Sequence, residues 1–471
     1  MTGDLEEDRT DSAMAPSAQW DRKRVLVVWY CNPNVIPPFR LSERQVTVGV
    51  PEPGYTNLPH LDAVLSQAGQ YDLAEQLSAA GIDNSFDLIV VWSDASRRNC
   101  PVNLGAFDCP KVLCIGDTHH LNEPLQFLLN YSRKERYDAI VLSHNRQHLH
   151  WFVEAGRDNC AWIPGTQIDH IPTPLTENRE RCVAFLGQAG KLHPRRLRLL
   201  QAIKSANIPL RAQSGAREIG AMLYSSSVLS FNASLNADLN MRVFEVLSAA
   251  GCLVTDRLGP YSGLGELFDE GREILCYGGV EELLEIIERY LADPRAAFEI
   301  AKAGHRRFMA QYMPRMQRDV LFNWVFRGEL EQRYRASADP RTRLEASPKA
   351  FADRVELYEA IQERHRMEEQ LRILVSSRIT PRVCTDAADL PRVQITQLID
   401  DSAPRETDDD ISRLSHEQAS RQTWDFMLVA PGESVPAGIS TTQVGAVAQT
   451  LMNDTRRFNF GAFRRRRKSK T

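Results

Sequence analysis

The sequence predicts an α/β protein of two Rossmann-like, doubly wound domains, and three observations carry that reading. Short runs of consecutive apolar residues alternate at a steady interval with stretches of helical spacing. Runs of that kind, without polar alternation, belong to parallel strands covered on both faces. Polar clusters follow the runs directly, where the crevice of an open parallel sheet lies. The length of 471 residues exceeds one ordinary domain and fits two of about 150 residues with extensions.

Composition narrows the class further. An apolar content of 43% with 25% charged residues is that of a globular protein with real cores. A net charge of −4 argues against a nucleic-acid partner, because no bulk attraction to phosphate backbones is available. The nine cysteines are scattered without a C-x-x-C pair, as in a reducing compartment. The N-terminus is acidic and polar rather than signal-like, and no apolar run approaches the roughly 18 residues of a membrane span. A cytoplasmic protein is expected, at most peripheral to a membrane.

Residues 1–22 offer little to bury and are expected to be a disordered tail. The first Rossmann-like domain is expected over 23–172. It opens with the strand RVLVVWY and a proline-rich loop, then a helix over Leu61 to Ala80 and the strand FDLIVVW. Further strands are expected at Val112 to Ile115, Tyr137 to Leu142 and Cys160 to Ile163, separated by LNEPLQFLLNYSRKERY and RQHLHWFVEAG as helices. Polar groups cluster after these strands: Ser93 and Asp94; Asp117, His119 and His120; His144. Histidine near its ordinary pKa suits proton transfer, so Asp117, His119 and His144 are the catalytic candidates of this half. Capping or structural roles fit the same residues, and the D-x-H-H spacing is poor for a closed metal site. His148 and His150 are expected on or near a helix surface.

The second domain is expected over 173–332 and starts with the strand RCVAFLG. The turn GQAGK, with Pro194 at the first helical position, leads into a helix whose start carries Lys191, Arg195 and Arg196. Such a turn can approach a diphosphate and neutralise it, though a solvated basic helix end reads equally well. The most informative stretch is SFNASLNADLNMRVFEVLSAAGCLVTD, a strand, polar loop, helix and strand. Asn240 is expected to cap the helix, and Val243, Phe244, Val246, Leu247 and Ala250 form its buried face. A helix N-terminus suits a diphosphate, and a carboxylate one turn in, Glu245, suits ribose hydroxyls, with Arg242 alongside. An ordinary i,i+3 pair between Arg242 and Glu245 is the plainer alternative.

The string from Asn240 to Glu245, followed by AAG and VTD and then by LGELFDEGREILCYGGVEELLEIIERYL, resembles the C-terminal signature of the glycosyltransferase-like family typified by spore-maturation protein CgeB. The likeness runs from Val183 to about Trp324. It implies a GT-B fold, two Rossmann-like domains facing a cleft, in which Glu245 holds the donor ribose. It also implies that the FLG turn and its basic helix border the donor site, which implicates Gly187, Lys191 and Arg195 beside Asn240 and Arg242. The second acidic residue of the related group 1 pattern falls at Ala237, with Asp238 next to it. GDTHH and SHNRQHLHWFVEAG resemble the N-terminal half of some members.

After Glu273 to Tyr277, helices are expected at Val280 to Leu291 and Arg295 to Tyr312. A last one, MQRDVLFNWVFRGELEQRY, by analogy crosses back to brace the first domain. Residues 333–378 are expected to be a linker and a charged helix, FADRVELYEAIQERHRMEEQLRILVSS, and 379–471 a partial α/β segment. The latter faintly resembles the opening half of a GT-A family 2 domain, as a vestigial or interaction segment. Asp408 to Asp410 are expected to cap a helix ISRLSHEQAS. The basic end FRRRRKSKT offers a possible contact with an anionic membrane or acidic partner, a solvated tail being the plainer reading.

The sequence therefore predicts a glycosyltransferase that moves a sugar from a nucleotide sugar to a glycan, lipid or protein acceptor. No cofactor or bound metal is expected. A silent GT-B scaffold and a nucleotide-sugar epimerase are the alternatives; a dehydrogenase is excluded by the absence of a glycine fingerprint after any strand.

Overall fold

The computed structural model describes residues 18–31, 40–51, 61–66, 68–119, 121–166, 168–190, 193–335, 347–367, 370–379, 384, 386–387, 390–399, 412–441 and 444–446. Three parallel sheets organise it. The first has seven strands in the order Ala63–Val64, Val46–Pro51, Val25–Cys31, Leu88–Ser93, Lys111–Ile115, Ala139–Leu142 and Cys160–Trp162. Successive residues of its central strands enter different cores. Leu26 and Val28 join the large core on one face, whereas Val25, Val27 and Trp29 join a second core on the other. That division is why these runs carry no polar alternation.

The second sheet has five strands in the order Leu210–Gln213, Glu180–Leu186, Ser227–Phe231, Leu253–Asp256 and Leu275–Tyr277. The two sheets form the two Rossmann-like halves that the sequence predicts. The helix Pro314–Arg327 then returns to the first sheet, placing Leu321, Phe322 and Trp324 in the core that holds Val25, Val27 and Trp29. It is shorter than expected because Gly328 adopts the left-handed conformation, φ 73°, and stops it.

A third parallel sheet, Ser412–Ser415, Val393–Ile399, Leu371–Val375, Phe426–Val429 and Val444–Ala446, forms the extension. Its preceding helix is Pro348–Met367, so the stretch expected as one long charged helix divides into a helix and the strand Leu371–Val375. The short helix His416–Ser420 is capped by Ser415 with a reciprocal Gln418 contact, and Ser412–Ser415 before it is strand. Asp408 to Asp410 and the basic end lie outside the described residues. Of the helix expected over Leu61 to Ala80, only Leu73–Ala79 forms. Gly69 at φ 90° and the strand Gly69–Asp72 precede it, and the Asp72 carboxylate accepts from Glu75 N to start it. Among the described residues no helix is long and apolar enough to cross a membrane.

Candidate active site

The first two sheets point their carboxyl ends at one another across a cleft of about 330 Å3. From the first sheet, the loops after Lys111–Ile115 and Ala139–Leu142 bring Asp117, His119 and His144 to its wall. From the second come Gly187, Arg196, Arg217, Asp238, Asn240, Arg242 and Glu245. The two walls are joined by hydrogen bonds: Leu239 N donates to His144 O (3.2 Å), Asn236 Nδ2 to His119 O (2.8 Å), and Gln147 Nε2 to Ala237 O (3.1 Å). Arg146 and Glu266 add an ion pair at 2.8 Å across the same junction.

The cleft helix, Met241–Ser248, forms as its amphipathic spacing requires, with Val243, Phe244, Val246 and Leu247 buried. Glu245 is half-buried on the cleft side and has no hydrogen-bonding or ionic partner among the described residues. Arg242 is not its i,i+3 mate. Its Nε donates to Leu186 O (3.0 Å) and its Nη1 to Asn232 Oδ1 (2.9 Å), while the guanidinium lies 4.8 Å from the centre of the Phe185 ring. Gly187, at φ 140°, permits this fold-back, since any side chain there would collide with Arg242. Asn240 occupies the cap position by its backbone, but its side chain makes no capping bond, contrary to expectation. Both of its amide atoms are buried without a hydrogen-bond partner among the described residues, at the edge of the cleft.

Arg195 corrects the sequence reading. It does not line the cleft; it lies buried behind the wall, with Nη1 2.8 Å from Asp256 Oδ2. Asp256 also accepts from Ser234 N and Oγ. Burial opposes its charge, but Arg195 and Ser234 outweigh this and hold the carboxyl below the usual range. Of the pair, the next residue, Arg196, lines the cleft, donating to Ala233 O and Gln188 O. Burial and then the charge of Arg242 pull its guanidinium down to about 10. One residue on a helix is about a 100° rotation, and residue type alone does not tell which arginine of a pair faces the cleft. Lys191 lies outside the described residues.

On the opposite wall His144 is buried, its Nδ1 3.4 Å from Asp117 Oδ1 and its Nε2 without a hydrogen-bond partner among the described residues. Burial opposes protonation, yet the hydrogen bond and charge of Asp117, with Asp238 and Glu245 beyond, leave the imidazole above its ordinary pKa. His119 is buried as well; its Nδ1 is 2.9 Å from Asn145 Oδ1, and its Nε2 is 3.9 Å from Asp117 and 4.0 Å from Asp238. His148 and His150 are fully interior rather than superficial, committed to polar contacts with the extension.

Asp238 is the wall residue that sequence reasoning passed over. Ala237 at φ 60° turns the chain into the left-handed region, and Asp238 Oδ1 accepts from Leu235 N (2.6 Å) and Asn236 N (3.3 Å) at the cleft surface. The signal was the acid adjacent to the position where the group 1 pattern has one. Among the described residues, no three His, Cys, Asp or Glu side chains gather as a metal site.

A family model described as glycosyl transferase-like matches residues 198–319, the part of the second domain that contains the cleft helix. No curated protein matches the sequence. Among solved structures, the chain is similar to Anabaena HepE in complex with UDP and glucose, at 13% identity, 65% of this chain, 100% of that chain and a TM-score of 0.45. It is also similar to sucrose-phosphate synthase from Thermosynechococcus elongatus, at 12% identity, 65% and 100% coverage and a TM-score of 0.47.

Proposed function

We propose that this chain is a glycosyltransferase of GT-B architecture whose cleft divides the work between its two walls. The nucleotide sugar binds the second domain, its ribose hydroxyls on Glu245 and its diphosphate at the N-terminus of Met241–Ser248, with Arg196 and Arg242 supplying positive charge. The acceptor hydroxyl enters from the first domain. As its oxygen bonds to the sugar C1 and the C1–phosphate bond breaks, the hydroxyl proton passes to His144 Nε2 and the electron pair leaves on the diphosphate. Asp117 orients the ring and compensates the imidazolium that forms. Helix and arginines stabilise the leaving group without a bound metal, and the closed junction between the domains limits water.

The observation that carries this reading is a pair of groups facing one cavity with no hydrogen bond to any described residue: the Glu245 carboxylate on one wall and His144 Nε2 on the other. Asp238 stands in, on this reading, for the acid absent at Ala237. Kinship with the CgeB-like subtype, a cytoplasmic location, and a glycan, lipid or protein as acceptor belong to the same proposal; their support is the sequence. The test is mass-spectrometric detection of nucleotide released from a panel of nucleotide sugars, with Glu245→Ala as comparison. Transfer is expected from one donor and lost in the variant. Binding of no nucleotide by the folded protein, or undiminished transfer by Glu245→Ala, defeats the assignment.

A further inference from the structure

The cleft loops are held from behind by a helix that belongs to neither Rossmann-like half. Pro348–Met367 lies against both. Toward the first domain, the Glu359 carboxylate accepts from Leu125 N (2.6 Å) and Gln126 N (3.2 Å), the first turn of the helix Pro124–Lys134. Arg354 pairs with Glu154 and, at 3.1 Å, with Asp386, which in turn meets His150 at 3.1 Å. Toward the second domain, Arg198 Nη2 donates to Met367 O at 3.0 Å.

Two threads lead from this helix into the catalytic walls. Tyr358 Oη lies 2.9 Å from His148 Nε2, and His148 Nδ1 lies 2.6 Å from Thr118 Oγ1. Thr118 is the residue between Asp117 and His119. On the other side, His365 Nδ1 lies 3.2 Å from Asn236 Oδ1, and Asn236 Nδ2 donates to His119 O. Asn236 N also donates to Asp238 Oδ1. The Asn236 amide is therefore a node that fixes the second-domain loop to the first-domain loop, and His365 sets its orientation. The other ring nitrogen, His365 Nε2, lies 2.7 Å from Pro391 O and 3.1 Å from Arg392 Nη2, so the ring is held between the Asn236 amide and the extension. Every member of both threads is buried.

We propose that Pro348–Met367 is a positioning element of the cleft, with His365 holding loop 233–240, and so Asp238, in register with His119 through the Asn236 amide. The extension is then part of the working unit rather than an appendage. The inference concerns loop geometry and stands whichever substrate the cleft takes.

Hydrogen–deuterium exchange of the full chain tests it without any ligand. The amides of Leu235, Asn236 and Leu239 are the reporters, each hydrogen-bonded to Asp238 or His144. His365→Ala is expected to speed their exchange roughly tenfold, while the strands Glu180–Leu186 and Leu253–Asp256 keep wild-type rates. His365→Gln, which restores a donor to Asn236, is expected to recover protection. Unchanged exchange in His365→Ala, an even increase across those core strands, or failure of His365→Gln to recover protection would each overturn the proposal.

Discussion

Two helices rich in polar side chains, Met241–Ser248 and Pro348–Met367, use them in opposite ways. On the first, Glu245 and the cap residue Asn240 face a cavity with polar atoms that no described residue hydrogen-bonds. On the second, Arg354, Tyr358, Gln362 and His365 are buried, and their contacts are with protein. Burying polar groups costs free energy unless partners are supplied, so polar groups facing an open cleft point to a ligand, and groups whose contacts are with protein in an interface point to architecture, even though Arg354 Nε and Gln362 Oε1 make no hydrogen bond among the described residues.

Variants can break this distinction. The largest effect is expected from Arg354→Ala, which leaves Glu154 and Asp386 buried without their cation. Loss of one partner of such a group costs about 3–5 kcal/mol, so the melting temperature of the full chain should fall by several degrees. Arg195→Ala should behave similarly through Asp256, and the folded fraction should lose less nucleotide affinity than Glu245→Ala does. Glu245→Ala is the converse. Calorimetric titration with the preferred nucleotide sugar should show at least a roughly hundredfold loss of affinity, the worth of one or two charge-assisted hydrogen bonds, with an unchanged melting temperature.

The next effect is a pH dependence. Folding raises the pKa of His144 above its ordinary 6.5, so the folded state favours the charged ring. That stabilisation is fully present below the unfolded value and is lost as pH rises through the folded one. The difference in melting temperature between the wild type and His144→Gln should accordingly be larger at about pH 5.5 than at about pH 8.5. The smallest change is expected from Ala237→Gly, which relieves a left-handed alanine and should gain no more than about 1 kcal/mol in chemical denaturation.

The same comparison explains what was legible in the sequence. The cleft helix was readable because its apolar spacing, its flanking strands and the Gly251 stop all agree locally. The parallel strands were readable because burial on both faces leaves an unbroken apolar run. Pro348–Met367 was readable only as part of a charged helix, since nothing local reveals that Glu154, Asp386 and Asn236, distant in sequence, meet its polar groups. His148 and His150 were placed at a surface for the same reason. Arg195 was preferred to Arg196 because the phase of a helix start depends on a turn whose shape the residues do not specify. Gly69 and Asp72, which cut the expected helix over Leu61 to Ala80 to its last turns, were local signals that its apolar spacing masked.

The return of Pro314–Arg327 to the first sheet has a bearing on how the chain is made. Trp20 stacks on Phe326, and Arg318 pairs with Asp21, so the opening and the end of the two-domain unit meet. While the ribosome is still translating the second domain, the sheet face bearing Val25, Val27, Trp29 and Trp92 lacks this cover. The strands made first are thus sealed last, and a nascent chain halted before residue 314 would present a bare apolar surface to chaperones and to its own copies.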